Sequence, residues 1–374
     1  VRFLFVVPPF PGHVNPLVAV TAELRTRGHV VAWTGAPGSL AGEPVLPCGT
    51  IPLPPRPDGL QGFAALKFLW EQVLVPLAEA MAPGVEAAIG QFGPDVVVAD
   101  QQAFAGALVA QRLGVPWATS ASTSSDLADP LSALPKVAQW RADLLAALAE
   151  RLGAPAVDPR FSPRLVLAFT TAALAGEGPA GVTFAGPALG ARPEVDFPWQ
   201  DVDPARALVL VTLGTVNTGA AFLAECAAAL RERADRVQAV IVDPSGTLDA
   251  PGALVRPSIP QLDVLARAAA VICHGGHNTV CEALAHGLPL VVAPIRDDQP
   301  VIADQVVTAG AGVRLRFGRA KAAQLGKAVD QVLDDPRYRA AARRVAESFR
   351  AAGGAPAAVA ALEALTGHCG LPAG

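Results

Sequence analysis

Residues 4–34 read LFVVPPFPGHVNPLVAVTAELRTRGHVVAWT. Leu4 to Val7 is a short run without a polar break, the pattern of a strand buried on both faces of a parallel sheet. Pro8-Pro9-Phe10-Pro11-Gly12 interrupts it. A helix is expected from about Pro16 to Arg27, with Leu17, Val20 and Leu24 on one face. Gly28 is placed to end that helix, and His29 to Thr34 reads as the next strand. Strand, loop, helix, glycine stop and strand make the repeating unit of a doubly wound α/β fold.

The unit recurs. Asp95 to Ala99 reads as a strand, Gly106 to Leu113 as a helix and Val115 to Thr119 as a strand. Ser120 to Pro135 is rich in Ser, Asp and Pro and reads as a loop, with helix resuming over Lys136 to Leu152. Gly176 to Pro204 is dense in Pro and Gly, as a linker would be. A second wound domain follows, with strands at Ala207–Leu213, Val237–Val242, Ala269–Cys273 and Leu288–Ala293 and helices at Ala220–Ala234 and Thr279–His286. Ala320 to Leu365 is largely helical, broken near Pro336 and at Gly353-Gly354. The expected organisation is a domain over 1–190, a linker over 191–205 and a second domain over 206–374, the last helix being able to pack back on the first. Ligands of such open sheets bind at the carboxyl ends of the strands.

Composition narrows the function. The 374 residues are 52% hydrophobic and 17% charged, with 29 Lys+Arg against 33 Asp+Glu and a net charge of −4. No basic cluster offers a nucleic-acid footprint. Every apolar stretch meets Gly, Pro or charge before the ~18 residues of a membrane span. Five scattered cysteines without a CxxC suggest neither a disulfide framework nor a zinc site. With no basic start or cleavage-type segment, the expected setting is the reducing cytoplasm.

Four places could carry chemistry. In CHGGHNTVCEALAHGLP, residues 273–289, a strand empties through Gly275 and Gly276 into a helix beginning near Asn278-Thr279. Backbone N–H groups and the positive end of a helix dipole there suit a phosphate, with His274, Asn278 and Thr279 as further donors. The same glycines could simply make a tight turn. Gly214-Thr215 closes the first strand of the same domain and could clasp a diphosphate from the other side. Asp297-Asp298-Gln299 follows a strand, and a carboxylate beside an amide suits sugar hydroxyls, as it would a solvated turn. His13 follows the first strand and could act as a general base near neutral pH; Asp100, at the end of the 95–99 strand, would fix its tautomer. A surface histidine is the plainer reading. Asp201-Val202-Asp203 has the DxD spacing of metal–diphosphate sites but sits in the Pro-rich linker.

Together these pieces resemble the inverting, metal-independent glycosyltransferases of the GT-B fold, two facing Rossmann-like domains with a cleft between them. The closest subset is the bacterial enzymes that glycosylate macrolides, aromatic polyketides, indolocarbazoles and carotenoids. The resemblance covers almost the whole chain and is most specific from Pro260-Gln261 through HGGHNTVCEALAHGLPLVVAPIRDDQP to Gly310-Ala311-Gly312. It implies His13 as the base that deprotonates the acceptor and Asp100 as its orienting carboxylate. It implies that Gly214 and Thr215 hold the diphosphate from one side, and His274, Gly275, Gly276, Asn278 and Thr279 from the other. Ile259 would contact the nucleotide base through its backbone, Glu282 the ribose, and Asp298 and Gln299 the sugar.

Many relatives carry a base-stacking Trp two residues before the Pro-Gln pair; Ser258 stands there, leaving UDP- and TDP-sugars both open. The implied partners are that donor and a hydrophobic small-molecule acceptor, with no metal or other cofactor, in a monomer or homodimer. Ser120 to Pro135 could form a mobile acceptor loop. The stretch Phe63 to Val75 and the rings of Phe10, Phe68, Trp70, Phe104 and Trp117 could line an acceptor pocket or belong to the core. The same fold also serves nucleotide-sugar epimerases and hydrolases, and an inactive homologue could act as an auxiliary partner.

Overall fold

The computed structural model describes every residue except 36–42, 58, 59, 61, 129, 130, 132, 133, 191, 193, 215, 216, 218 and 368–374. The chain divides into two α/β units. The first comprises Val1–Phe169, Glu177–Gly190 and Ala352–Gly374; the second comprises Thr170–Gly176 and Ala191–Ala351. Neither is one continuous stretch of chain.

In chain order the first unit holds β1 (Arg2–Val6), α1 (Pro11–Thr26), β2 (Val30–Thr34), β3 (Val45–Leu46), α2 (Gly62–Phe68), α3 (Val75–Phe92), β4 (Val96–Asp100), α4 (Phe104–Arg112), β5 (Trp117–Ala121), α5 (Pro135–Arg151) and β6 (Val166–Ala168). After α6 (Ala172–Ala175), which belongs to the second unit, comes β7 (Val182–Phe184). The seven strands are all parallel, in the order β3-β2-β1-β4-β5-β6-β7. The order reverses between β1 and β4, and the crevice at such a switch point is where open sheets bind ligands.

The second unit holds β8 (Ala207–Thr212), α7 (Ala220–Arg231), β9 (Val237–Val242), β10 (Leu254–Arg256), α8 (Gln261–Leu265), β11 (Ala268–Cys273), α9 (His277–Ala285), β12 (Leu290–Val292), α10 (Gln299–Thr308), β13 (Gly312–Arg314), α11 (Ala322–Asp334) and most of α12 (Pro336–Ala352). Its six parallel strands run β10-β9-β8-β11-β12-β13, with the switch point between β8 and β11. The last helix, α13 (Gly354–Gly367), lies in the first unit, where Ala358, Val359 and Leu362 pack with Leu17, Val20 and Leu24 of α1 over Phe3 and Phe5.

Each sheet has apolar residues on both faces. In the first, Phe3, Phe5 and Trp33 face α1 and α13, while Leu4, Val6 and Val97 face a cluster drawn from α3 and α4. In the second, Leu210, Val271 and Val292 pack with α9, α10 and α12, and Val209, Val211 and Ile272 with α7 and α11. This two-sided burial is why the strands read as unbroken apolar runs.

Several expectations are corrected. The first helix begins at Pro11 rather than near Pro16. Proline at the first helical position has its φ preset and no amide to waste, so Pro11 starts the helix instead of breaking the chain. His13 therefore stands in the first turn of α1, not in a loop. The helix after β11 likewise starts at His277, ahead of the expected Asn278-Thr279. The Pro/Gly-rich 176–204 segment is more than a linker: it supplies β7, and Phe197 and Trp199 pack into the core of the second unit.

The expected 120–135 loop begins inside β5, and Ser122 to Ser125 are buried. Residues 129, 130, 132 and 133 of that proposed acceptor loop lie outside the described residues.

The helix over Gly62–Phe92 has 31 residues and is long and apolar enough, by length and composition, to cross a membrane. Its Trp70, Leu74, Leu77, Met81, Val85 and Ile89 belong to the first unit's core, which identifies it as a core helix. A π-helical turn, Leu69–Leu74, joins α2 to α3 just before Pro76, whose missing amide interrupts the regular ladder. Of the aromatic residues considered for a pocket, Trp70, Phe104 and Trp117 are buried core; Phe10 and Phe68 are half-buried.

Candidate active site

In the first unit the switch point brings together two residues that are 87 positions apart. β1 delivers the chain to α1, whose first turn carries His13; β4 ends at Asp100 on the neighbouring strand. His13 Nδ1 lies 2.9 Å from Asp100 Oδ1. Asp100 is fully buried, whereas the His13 side chain keeps 16% of its surface exposed. The same carboxylate oxygen accepts the Gln102 backbone N–H at 2.9 Å. A carboxylate can only accept, so the proton between the pair belongs to Nδ1 and the basic lone pair of the neutral ring is on Nε2. Ser122 Oγ, 4% exposed, lies 2.7 Å from the same Nδ1. Phe10, one turn before His13, sets its ring 5.8 Å from the imidazole. Asp100 Oδ2, Gln101 Oε1 and Ser120 Oγ are buried without hydrogen-bond partners among the described residues.

In the second unit the corresponding switch point carries the glycine turns. Gly214 follows β8 with φ +73°, and Gly275 follows β11 with φ +86°, a left-handed backbone that side chains disfavour. The two turns meet around His274. A Cβ on Gly214 would lie 2.9 Å from its Cε1, and one on Gly276 would lie 2.4 Å from its Nε2. The imidazole is thus clasped where any other residue would displace it. Its Nδ1 is buried without a hydrogen-bond partner of good geometry among the described residues. Burial pushes the His274 pKa down to about 4; the Thr212 backbone opposes the shift and the Arg296 charge adds to it. A ring that stays neutral keeps one N–H, which can donate to an anion, and an acceptor at its other nitrogen.

Gly276 is the residue before α9, and among the described residues no side chain caps that helix. The first backbone N–H groups of α9 have no intrahelical acceptor and sit at the positive end of the helix dipole. Thr279 is buried and Asn278 half-buried in that first turn. Thr215 lies outside the described residues.

Glu282, one turn on, is 3% exposed and is held by Gln261 Nε2 at 2.6 Å and by an ion pair with the Arg192 guanidinium. Its carboxylate is therefore already oriented by two donors. Ile259 packs half-buried against the second unit's core. Asp297 adopts a left-handed backbone, φ +56°, in the turn that presents Asp298 and Gln299 at the start of α10. Gln299 Oε1 accepts the N–H groups of Ile295 and Arg296 at 2.9 and 3.0 Å, so that oxygen fixes the loop. The amide nitrogen remains as the end suited to donate to a ligand.

Sequence reasoning missed Ser122, Arg192 and the burial of His277. Ser122 had a usable signal: it falls two residues after Ser120, the register partner of Asp100, and strand alternation returns it to the same face. Arg192 had none, being a single arginine in a Pro-rich stretch.

The first unit also contains a cavity of about 560 Å³ lined by Glu71, Lys136, Gln139, Trp140, Asp143 and Leu144. His13 is not among its walls, so it is separate from the dyad. Among the described residues no three His, Cys, Asp or Glu side chains gather as a metal site.

Known proteins resemble this chain over most of its length. A family described as "Erythromycin biosynthesis protein CIII-like, C-terminal domain" matches residues 242–365. The chain is 29% identical to 4'-demethylrebeccamycin synthase of Lentzea aerocolonigenes, covering 94% of this chain and 96% of that protein. It is 30% identical to demethyllactenocin mycarosyltransferase of Streptomyces fradiae, covering 96% and 86% respectively. Spinosyn rhamnosyltransferase SpnG superposes with a TM-score of 0.77 at 26% identity, covering 97% of this chain and 100% of its own, and has also been solved with spinosyn aglycone and with thymidine diphosphate. Fold and comparisons define a glycosyltransferase of the GT-B type. Within that class, the chain belongs to the natural-product glycosyltransferases.

Proposed function

We propose that the protein moves a hexose or deoxyhexose from a UDP- or TDP-sugar to a hydroxyl, or a nitrogen, of a hydrophobic natural-product acceptor, inverting the anomeric carbon, with His13 as general base. The observation that carries this reading is the His13 Nδ1–Asp100 Oδ1 contact of 2.9 Å on a fully buried carboxylate. Asp100 holds the proton on Nδ1, so Nε2 takes the acceptor proton as the acceptor oxygen attacks the anomeric carbon, and Asp100 offsets the imidazolium charge that forms. General-base help of this kind is worth about 10²–10⁴-fold.

Negative charge develops on the departing diphosphate. The N–H groups at the start of α9, with Gly275, Gly276 and a neutral His274, supply fixed donors that suit it without a metal ion. Glu282, held by Arg192 and Gln261, suits ribose hydroxyls, and Asp298 with the Gln299 amide suits sugar hydroxyls. The thymidine diphosphate bound by SpnG supports the nucleotide class.

The donor half is tested by thermal shift with UDP and TDP, each with and without magnesium; a ligand that binds only the folded state raises its melting temperature. A shift that ignores magnesium is expected, and silence from both nucleotides sinks the donor site. The base is tested with UDP-glucose or TDP-glucose and 4-methylumbelliferone: His13→Ala should lose at least about a hundredfold in kcat while keeping nucleotide affinity. Loss of transfer and nucleotide binding together would reject the role given to His13. A β-glucoside product from the α-configured donor, read by NMR coupling, is the expected sign of inversion.

A further inference from the structure

We propose that Ser122 is a positioning residue for His13, the third member of a His13–Asp100–Ser122 arrangement; this rests on His13 being the base. Close to Nδ1 of His13 lie Asp100 Oδ1 at 2.9 Å and Ser122 Oγ at 2.7 Å. One ring nitrogen carries either one proton or one lone pair. The carboxylate admits only the proton, so Ser122 is a second acceptor of the same N–H and its own hydroxyl proton points elsewhere. The N–H is shared between two oxygens, one on the last residue of β4 and one on the residue just after the adjacent strand β5.

That division of labour has a geometric consequence. A single acceptor fixes where Nδ1 points but lets the imidazole swing about the axis joining them. Two acceptors from different segments of the chain define the plane of the ring, and hence the direction of the Nε2 lone pair. Ser122 can do this because it is buried: it is 4% exposed, in a run of buried residues from Ser122 to Ser125 that immediately follows β5. Gln101 Nε2 ties the same run to β4 through the Thr123 carbonyl at 3.2 Å. When the ring gains a proton on Nε2, its Nδ1–H becomes a stronger donor, and Ser122 Oγ then stabilises the imidazolium alongside Asp100.

The test uses the full chain with Ser122→Ala, Ser122→Thr and His13→Ala. Imidazole ¹H–¹⁵N spectra of the free protein, assigned through His13→Ala, read the His13 tautomer and its titration without any substrate. Transfer from UDP-glucose or TDP-glucose to 4-methylumbelliferone gives kcat, KM and the pH profile.

Ser122→Ala is expected to shift the His13 ring signals, move the acid limb of the kcat profile to lower pH, and cut kcat by about three- to tenfold, the size of one neutral hydrogen bond. The donor KM should be unchanged, and Ser122→Thr should restore both spectrum and rate. The proposal is overturned if Ser122→Ala leaves the His13 spectrum unaltered, whether or not the rate falls, because a fall alone would mark Ser122 as packing. Either result leaves the reading of His13 intact. If His13→Ala transfers as fast as the parent, the base assignment itself fails and the catalytic role of Ser122 falls with it.

Discussion

His274 offers a quantitative handle on the second unit. Its ring is 6% exposed, wedged between Gly214 and Gly276, and burial lowers its pKa from the ordinary 6.5 to about 4. In the unfolded chain the ring takes up a proton near pH 6.5, whereas in the folded chain it resists until about pH 4. Between those values the unfolded state binds more protons, so stability rises with pH across the window and falls as the solution is acidified. Each tenfold change in proton affinity is worth about 1.4 kcal/mol, so the ring removes about 3 kcal/mol between pH 7 and pH 4. The loss is complete below the folded pKa and absent above the unfolded one.

The measurement is urea unfolding from pH 4 to pH 8 for the parent and for His274→Asn. It is read by hydrogen exchange in the peptide spanning residues 268–285, so that the second unit is followed by itself. Asparagine leaves a constant packing defect but does not titrate, and the difference between the two curves isolates the ring. That difference should change by about 3 kcal/mol over the acid window, narrowing toward low pH. Parallel curves would refute the claim that the imidazole is held neutral by burial.

Two further outcomes follow from the packing. Gly276→Ala places a Cβ 2.4 Å from His274 Nε2, with Gly214 blocking retreat on the other side; calorimetry with UDP and TDP should show affinity weakened by at least about tenfold, since a displaced ring and helix start no longer present their donors together. Leu362→Ala empties a fully buried site between α13 and α1; it should cost the first unit about 2–5 kcal/mol in urea unfolding and leave the second unit's transition in place.

Much of the fold is legible because a parallel strand buried on both faces is apolar at nearly every position. β1, β2, β4, β8, β9 and β11 all announce themselves in this way. β3, β7 and β13 escape because two or three residues hold too little pattern, whatever their neighbours contribute in the sheet. The long helix over Gly62–Phe92 hides behind Pro76 and Pro83, which the π-helical turn and packing accommodate.

At the site, His13 and Asp100 are legible as polar residues after or at the end of apolar runs, and the glycines as turns that admit no side chain. The grip of Arg192 on Glu282 is not, because an ion pair 90 positions apart leaves no local trace. Asp298 and Gln299 read in the sequence as a carboxylate beside an amide suited to sugar hydroxyls; that the Gln299 oxygen is committed to the Ile295 and Arg296 amides, leaving its nitrogen to donate, is not legible there.

The return of the chain to its first unit carries a consequence for biosynthesis. The helix that covers Phe3 and Phe5 together with α1 is the segment Gly354–Gly367, and Gly354 anchors its start through the Ala185 carbonyl at 2.7 Å. A chain emerging from the ribosome therefore exposes part of that apolar sheet face until residues beyond 351 have left the exit tunnel. The second unit, closed by Ala351, is free to fold while the first still waits for its last helix. Synthesis order and folding order are thereby uncoupled, and the first domain to begin is the last to be finished.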